Sequence, residues 1–97
     1  MGATKTTQYP SDILKLACIA DALSHPARIT IIKTLKEHYF FRNVDFPVIL
    51  QLSPSSVNRH LQKLKQASLV DYSYTPHEYT IRLVTENIEE LTYFLKE

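Results

Sequence analysis

Residues 53–66, SPSSVNRHLQKLKQ, combine a hydrogen-bonding side with an apolar one in a single short helix. Ser53 is placed to cap it, with Pro54 at the first helical position. Val57, Leu61 and Leu64 recur at i, i+4 and i+7, the spacing of a core-facing stripe. On a wheel of about 100° per residue starting at Val57, Ser55, Arg59, Gln62 and Lys63 fall between about 140° and 240°. Ser56 lies just beyond them, and Asn58 completes the polar set. This side carries no carboxylate, whereas a solvated helix usually mixes acids and bases at i,i+4. Short hydroxyl side chains at a helix start allow close approach to base edges. An arginine matches guanine, a lysine behind it matches a phosphate, and the helix N-terminus itself favours an anion. The chemistry on offer is groove recognition of duplex DNA; the ordinary alternative is a solvated amphipathic helix.

Such a helix needs a scaffold, and the remaining sequence supplies one. SDILKLACIADAL reads as a helix capped by Ser11, with Ile13, Leu14, Ala17, Cys18, Ala20 and Leu23 at helical spacing. HPARITIIKTLKEHYF places Pro26 at a first helical position, followed by an Ile29, Ile32, Leu35 stripe. FRNVDF reads as a connection, with Asp45 able to cap one or two apolar turns that begin near Pro47. After the quoted helix, LVDYSY and YTIRLV alternate with period two around Thr75-Pro76-His77-Glu78, which predicts a β-hairpin. TENIEELTYFLKE closes the chain as a helix that starts at Thr85 and keeps Ile88, Leu91 and Leu95 on one face. The class is mainly α with a minor β part: four helices, a hairpin and a final helix.

The 97 residues suit one domain, here residues 10–97, whose small core gains from burying more surface in an oligomer. Residues 1–9 read as a polar, poorly ordered tail. Their match to the acylation pattern M-G-x-x-x-[ST], ending at Thr6, lacks the basic cluster that a second membrane signal requires. A single cysteine, Cys18, excludes an internal disulfide framework, and no apolar run reaches the ~18 residues of a membrane span. A cytoplasmic protein without a cofactor is the expectation. Net charge is only +1, but it is segregated. Residues 28–65 hold seven Lys and Arg against Glu37 and Asp45, whereas residues 66–97 hold six acids against Arg82 and Lys96. A basic middle of this kind suggests a polyanion-facing surface.

Two blocks carry a family likeness: Pro26-Ala27-Arg28-Ile29, and Leu52-Ser53-x-Ser55-Ser56-Val57-x-Arg59-His60-Leu61-x-x-Leu64 closed by Leu69-Val70. From about residue 11 to the end, the chain resembles the ArsR-type winged helix-turn-helix repressors. That resemblance implies a helix-turn-helix over about residues 45–66, a reader helix at 54–66, and the hairpin as wing. It further implies a homodimer joined through the first and last helices, which designates Leu14, Ala17, Leu23, Ile88, Leu91, Phe94 and Leu95 as interface residues. The implied partners are double-stranded DNA and a second copy of the chain, with an unknown effector and no membrane. DNA contact is expected from Ser55, Ser56, Asn58, Arg59, Gln62 and Lys63, joined by Arg82 on the strand after the wing tip.

Three departures from the family stand out. Residues 46–50 lack the Cys-x-Cys metal motif of many members, and residues 86–97 contain neither His nor Cys, so no metal site is expected. Gln51 and Ser68 stand where glycine commonly supplies a left-handed turn, at a cost of roughly 1–2 kcal/mol each if that turn is kept. The wing tip carries Glu78 and no Arg or Lys.

Other reactive residues have ordinary roles open to them. Cys18 reads as a small buried hydrophobe, with a thiol pairing across a dimer as the alternative. His60 falls beside Leu64 on the wheel and suits half-buried packing, His25 suits a helix start, and Tyr72, Tyr74 and Tyr79 suit hairpin packing. No nucleophile–base pair, carboxylate pair or Gly-rich phosphate loop has catalytic spacing, so an enzyme is not expected. Two functions compete: a repressor that reads a near-palindromic operator as a dimer, and a winged-helix protein-interaction module without DNA binding. The acidic C-terminal third and the wing tip favour the second; the carboxylate-free helix favours the first.

Overall fold

The computed structural model describes residues 8–38, 40–74, 76 and 78–96. Most of the expected tail, including its acylation-like start, lies outside them; Gln8 and Tyr9 are exposed. The elements are α1 (Ser11–Ala22), α2 (Pro26–Glu37), β1 (Phe40–Arg42), a 3-10 turn (Asn43–Asp45), α3 (Phe46–Leu50), α4 (Pro54–Gln66), β2 (Val70–Tyr74), β3 (Tyr79–Leu83) and α5 (Thr85–Lys96). A three-stranded antiparallel sheet runs in the order β1-β3-β2. Tyr74 pairs with Tyr79 at one end of the hairpin and Val70 with Leu83 at the other, while β1 adds Phe41 opposite Ile81. This is a winged helix-turn-helix, with α3 and α4 as the two motif helices and β2–β3 as the wing.

Strand β1 takes Phe41 and Arg42 from the stretch read above as a connection and Phe40 from the end of the stretch read as the second helix. Three residues are too few to show a period-two pattern, and pairing with β3 is what extends them. The core is built from Ile19 and Ala22 of α1, Ile31, Ile32 and Leu35 of α2, Phe46, the Val57–Leu61–Leu64 stripe of α4, Ala67, Leu69, Val70 and Ile81. Ile29 of the expected α2 stripe is instead 52% exposed, because that helix turns its Ile31, Ile32 and Leu35 side inward.

Helix α1 shows the largest difference from expectation. It buries only Ile19 and Ala22, so Ile13, Ala17, Cys18 and Ala20 face outward and Cys18 is exposed rather than buried. The expected caps also differ. Pro10, not Ser11, occupies the N-cap of α1, and its carbonyl accepts from Leu14 N–H at 3.1 Å. Asp45 makes no side-chain cap for α3, because its carboxylate is engaged one turn earlier by Arg42 N–H at 3.2 Å. His25 does start α2: its Nδ1 accepts from Ala27 N–H at 3.0 Å.

Both glycine-substituted turns adopt the left-handed conformation, Gln51 at φ 55° and Ser68 at φ 58°. Ser68 sits just past α4, where Leu69 N–H reaches Leu64 carbonyl at 3.0 Å and Ser68 N–H reaches Lys65 carbonyl at 2.9 Å. That is the Schellman termination, usually made with glycine. After α3, Leu52 N–H bonds Pro47 carbonyl at 3.2 Å in the same sense. Packing of Leu52, Leu69 and Val70 around the core holds both turns in place despite their cost. Gln51→Gly and Ser68→Gly are therefore each expected to raise stability by about 0.5–1 kcal/mol, after the entropy that glycine adds to the unfolded chain. Thermal or urea unfolding checks this; a melting point that falls for both would show the turns to be unstrained.

Candidate nucleic-acid interface

Ser53 caps α4 as its position suggests, its Oγ accepting from Ser56 N–H at 3.2 Å. The same hydroxyl lies 3.2 Å from Ser55 Oγ and donates to Ser56 Oγ at 3.0 Å, so three hydroxyls cluster over the helix start. Arg59 Nη2 donates to Ser56 Oγ at 3.5 Å, a long bond that steadies the guanidinium over the first turn. Ser55, Asn58, Arg59, Gln62 and Lys63 are exposed, and Ser56 is half-buried. The last turn carries Lys63 and Lys65, which suit the negative end of the helix dipole. Lys65 leans toward the wing, its Nζ 4.7 Å from the centre of the Tyr72 ring.

Two flanks bracket this face. On one, the Tyr79 hydroxyl of the wing donates to Asn58 Oδ1 at 2.9 Å, fixing hairpin against helix. Asn58 is thus partly committed to positioning, with its amide N–H groups remaining for a ligand. The rings of Tyr72 and Tyr79 lie 4.9 Å apart, and Tyr74 lies 5.7 Å from Tyr79, so the hairpin tyrosines stack on one another. Burial first, and the neighbouring tyrosines second, push the Tyr72 and Tyr79 hydroxyls above their usual range and keep both protonated as donors. On the other flank, α2 brings His25 and Arg28 against α4. The His25 and His60 rings are 4.4 Å apart, and His60 is half-buried.

Arg82 stands apart from this group. It pairs across the sheet with Phe40 and Asp71 and lines a cavity of about 920 Å³ with Leu35, Leu83 and Ile88, which no α4 residue lines. The wing acid has a partner that the linear sequence did not show: Arg42 of β1 reaches Glu78 at 3.6 Å and Asp45 at 3.1 Å. Thr75 and His77 of the expected wing tip lie outside the described residues. Arg28 and His25 were missed as neighbours of the face, and Arg42 as the partner of Glu78, because only tertiary packing brings them there. The Pro26-Ala27-Arg28 block was the one available sign.

Among the described residues no group of three or more His, Cys, Asp or Glu side chains could hold a metal ion. The adjacent His25 and His60 offer two ligands without a third. Zinc titration of the purified protein is expected to show no stoichiometric site of submicromolar affinity. Such a site, lost in a His60 variant, would contradict this.

The shape defined by these elements is that of known transcription regulators. An ArsR-like transcriptional regulator from Rhodococcus sp. RHA1 superposes with a TM-score of 0.79 at 21% identity, over 90% of this chain and 81% of that one. HlyU from Vibrio cholerae gives a TM-score of 0.76 at 19% identity, over 91% of this chain and 96% of that one. A possible transcriptional regulatory protein fragment from Mycobacterium bovis gives 0.75 at 17% identity, covering 89% and 91%. The chain therefore has an ArsR-type winged-helix fold, spanning nearly the whole length of these neighbours. No family model matches the sequence, and no curated protein is significantly similar to it.

Proposed function

We propose that this protein is a sequence-specific DNA-binding transcription regulator, acting as a homodimeric repressor whose two α4 helices read a near-palindromic operator. The observation that carries the reading is the exposed side of α4. Ser55, Arg59, Gln62 and Lys63 stand out from the helix-turn-helix with no carboxylate among residues 53–66. Arg59 supplies a base-edge contact and Lys63 a phosphate contact. Ser55, Ser56 and the free amide of Asn58 complete the surface, and Arg82 on β3 adds a cation outside the α4 group. The pairing of Glu78 with Arg42 weakens the main argument against a DNA-facing wing, since the acid is faced by a cation.

A second copy suits the apolar surface left open. Tyr93 and Leu95 are 71% exposed and Phe94 48%, and α1 adds Ile13, Ala17 and Cys18. Leu14 is half-buried; Leu23, Ile88 and Leu91 pack partly against the protomer's own core and contribute only their outer edges. Lys15 Nζ to Glu90 Oε2, 2.7 Å, ties α1 to α5 so that both present one surface. In a two-fold dimer the reader helices stand about 34–36 Å apart, one turn of DNA. No described helix is long and apolar enough to cross a membrane.

Sedimentation of the protein at tens of micromolar, with and without a pool of random-sequence duplexes, tests the proposal. A dimer alone, and a dimer bound to duplex in low salt, are expected. A monomer that leaves DNA free would assign the fold to protein recognition instead.

A further inference from the structure

Beside the reader surface, a cleft of about 340 Å³ opens between the start of α2 and α4, lined by Arg28, Ser56, Arg59, His60, Gln62, Lys63 and Gln66. Every lining residue is polar or cationic, and none is an acid. Arg28 makes no side-chain hydrogen bond or ion pair among the described residues, and its Nε is buried without a partner. Buried donors are nearly always satisfied, so a half-buried guanidinium in an acid-free cleft lacks an acceptor that a ligand can bring. His25 sits behind it, its ring against His60.

We infer that this cleft seats a backbone phosphodiester of duplex DNA, with Arg28 and Lys63 contacting the anion and His60 adding charge when protonated. The inference rests on the DNA-binding reading of α4 and deepens it. A helix about 10–12 Å across fills a major groove about 12 Å wide, so elements on its two flanks meet the two phosphate strands. The wing, fixed through Tyr79 and Asn58, occupies one flank. The start of α2 occupies the other, and its Arg28 has no anion of its own among the described residues.

The cleft also makes binding depend on pH. In the free protein burial lowers the His60 pKa below 6.5, and the positive charges of His25, Arg28 and Arg59 lower it further. His25 and Arg28 act from α2 and Arg59 from its own helix; no acidic group among the described residues acts on it. A phosphate in the cleft reverses the sign of that field and raises the pKa. Binding then takes up a proton, and affinity rises as pH falls toward the lowered pKa of the free His60.

Duplex binding by the full chain, measured by fluorescence anisotropy at constant ionic strength, is expected to be about three- to tenfold tighter near pH 6 than near pH 8. His60→Gln removes that dependence. Arg28→Gln weakens binding to all sequences and flattens the salt dependence by about one unit per protomer, while Arg28→Lys retains most of both. Lys36→Ala, outside the cleft, leaves the pH profile unchanged. On the unaltered protein, the NMR titration of the His60 ring should move to higher pH on adding duplex and stay in place with inorganic phosphate. Tight DNA binding with a flat pH profile, no effect of Arg28→Gln and an unmoved His60 titration would overturn the inference while leaving the DNA-binding reading intact. A His60 shift with inorganic phosphate but not with DNA would overturn the assignment to the DNA backbone. Absence of duplex binding at every pH would fail the underlying reading itself, and this inference with it.

Discussion

Arg59→Ala is expected to weaken operator binding by about 1–3 kcal/mol and to relax preference at one base pair in each half-site. Arg59 is exposed in the middle of the acid-free side of α4, steadied by Ser56 Oγ rather than by a carboxylate. Its guanidinium can therefore give two donors to a guanine edge without first breaking an ion pair. Lys63, one turn later, is a point charge suited to the phosphates. Lys63→Ala should weaken binding to all sequences alike and reduce the salt slope by about one unit per protomer. Affinity series over single base-pair changes separate the two patterns. Equal, sequence-independent losses for both variants would show α4 to be a basic face and not a reader.

Phe46→Ala carries the largest expected effect on the fold, a loss of about 3–5 kcal/mol. Phe46 is fully buried at the start of α3, its ring 5.6 Å from that of Phe41 on β1. It joins the first motif helix to the sheet, and α3 is a five-residue helix with little stability of its own. A domain of this size has about 5–15 kcal/mol in all, so the variant should unfold at low urea and lose DNA binding in parallel. Phe46→Leu, which keeps most of the apolar volume, should cost far less. An alanine variant of near-normal stability would mean that α3 is not anchored through this side chain.

Helix α4 and the hairpin were legible in the sequence because their signals are local. Ser53 and Pro54 mark a helix start, Val57, Leu61 and Leu64 mark its buried side, and the two alternating runs mark the strands. Even the strained turns were legible, as Gln51 and Ser68 stand where a left-handed residue is required. What was not legible depends on packing between distant segments. Strand β1 exists through β3, and Arg42 meets Glu78 only across that sheet. Cys18 is exposed because α1 touches the core along one edge, a choice that a helix with small apolar residues on several sides does not declare. The contact of His25 and Arg28 with α4 likewise needs the fold. The likeness to ArsR-type repressors anticipated the architecture, whereas the acid-free cleft exists only once α2 packs against α4.

The central claim is that two copies of α4 read DNA sequence. Selection of bound duplexes from a randomised library tests it most directly, since it needs neither the operator nor the regulated gene. The expected result is a single enriched motif with two inverted half-sites whose centres lie about 10–10.5 base pairs apart or a multiple of that, a preference that Arg59→Ala relaxes at one position in each half. Retention of DNA without any enriched motif, or no retention in low salt, would contradict it.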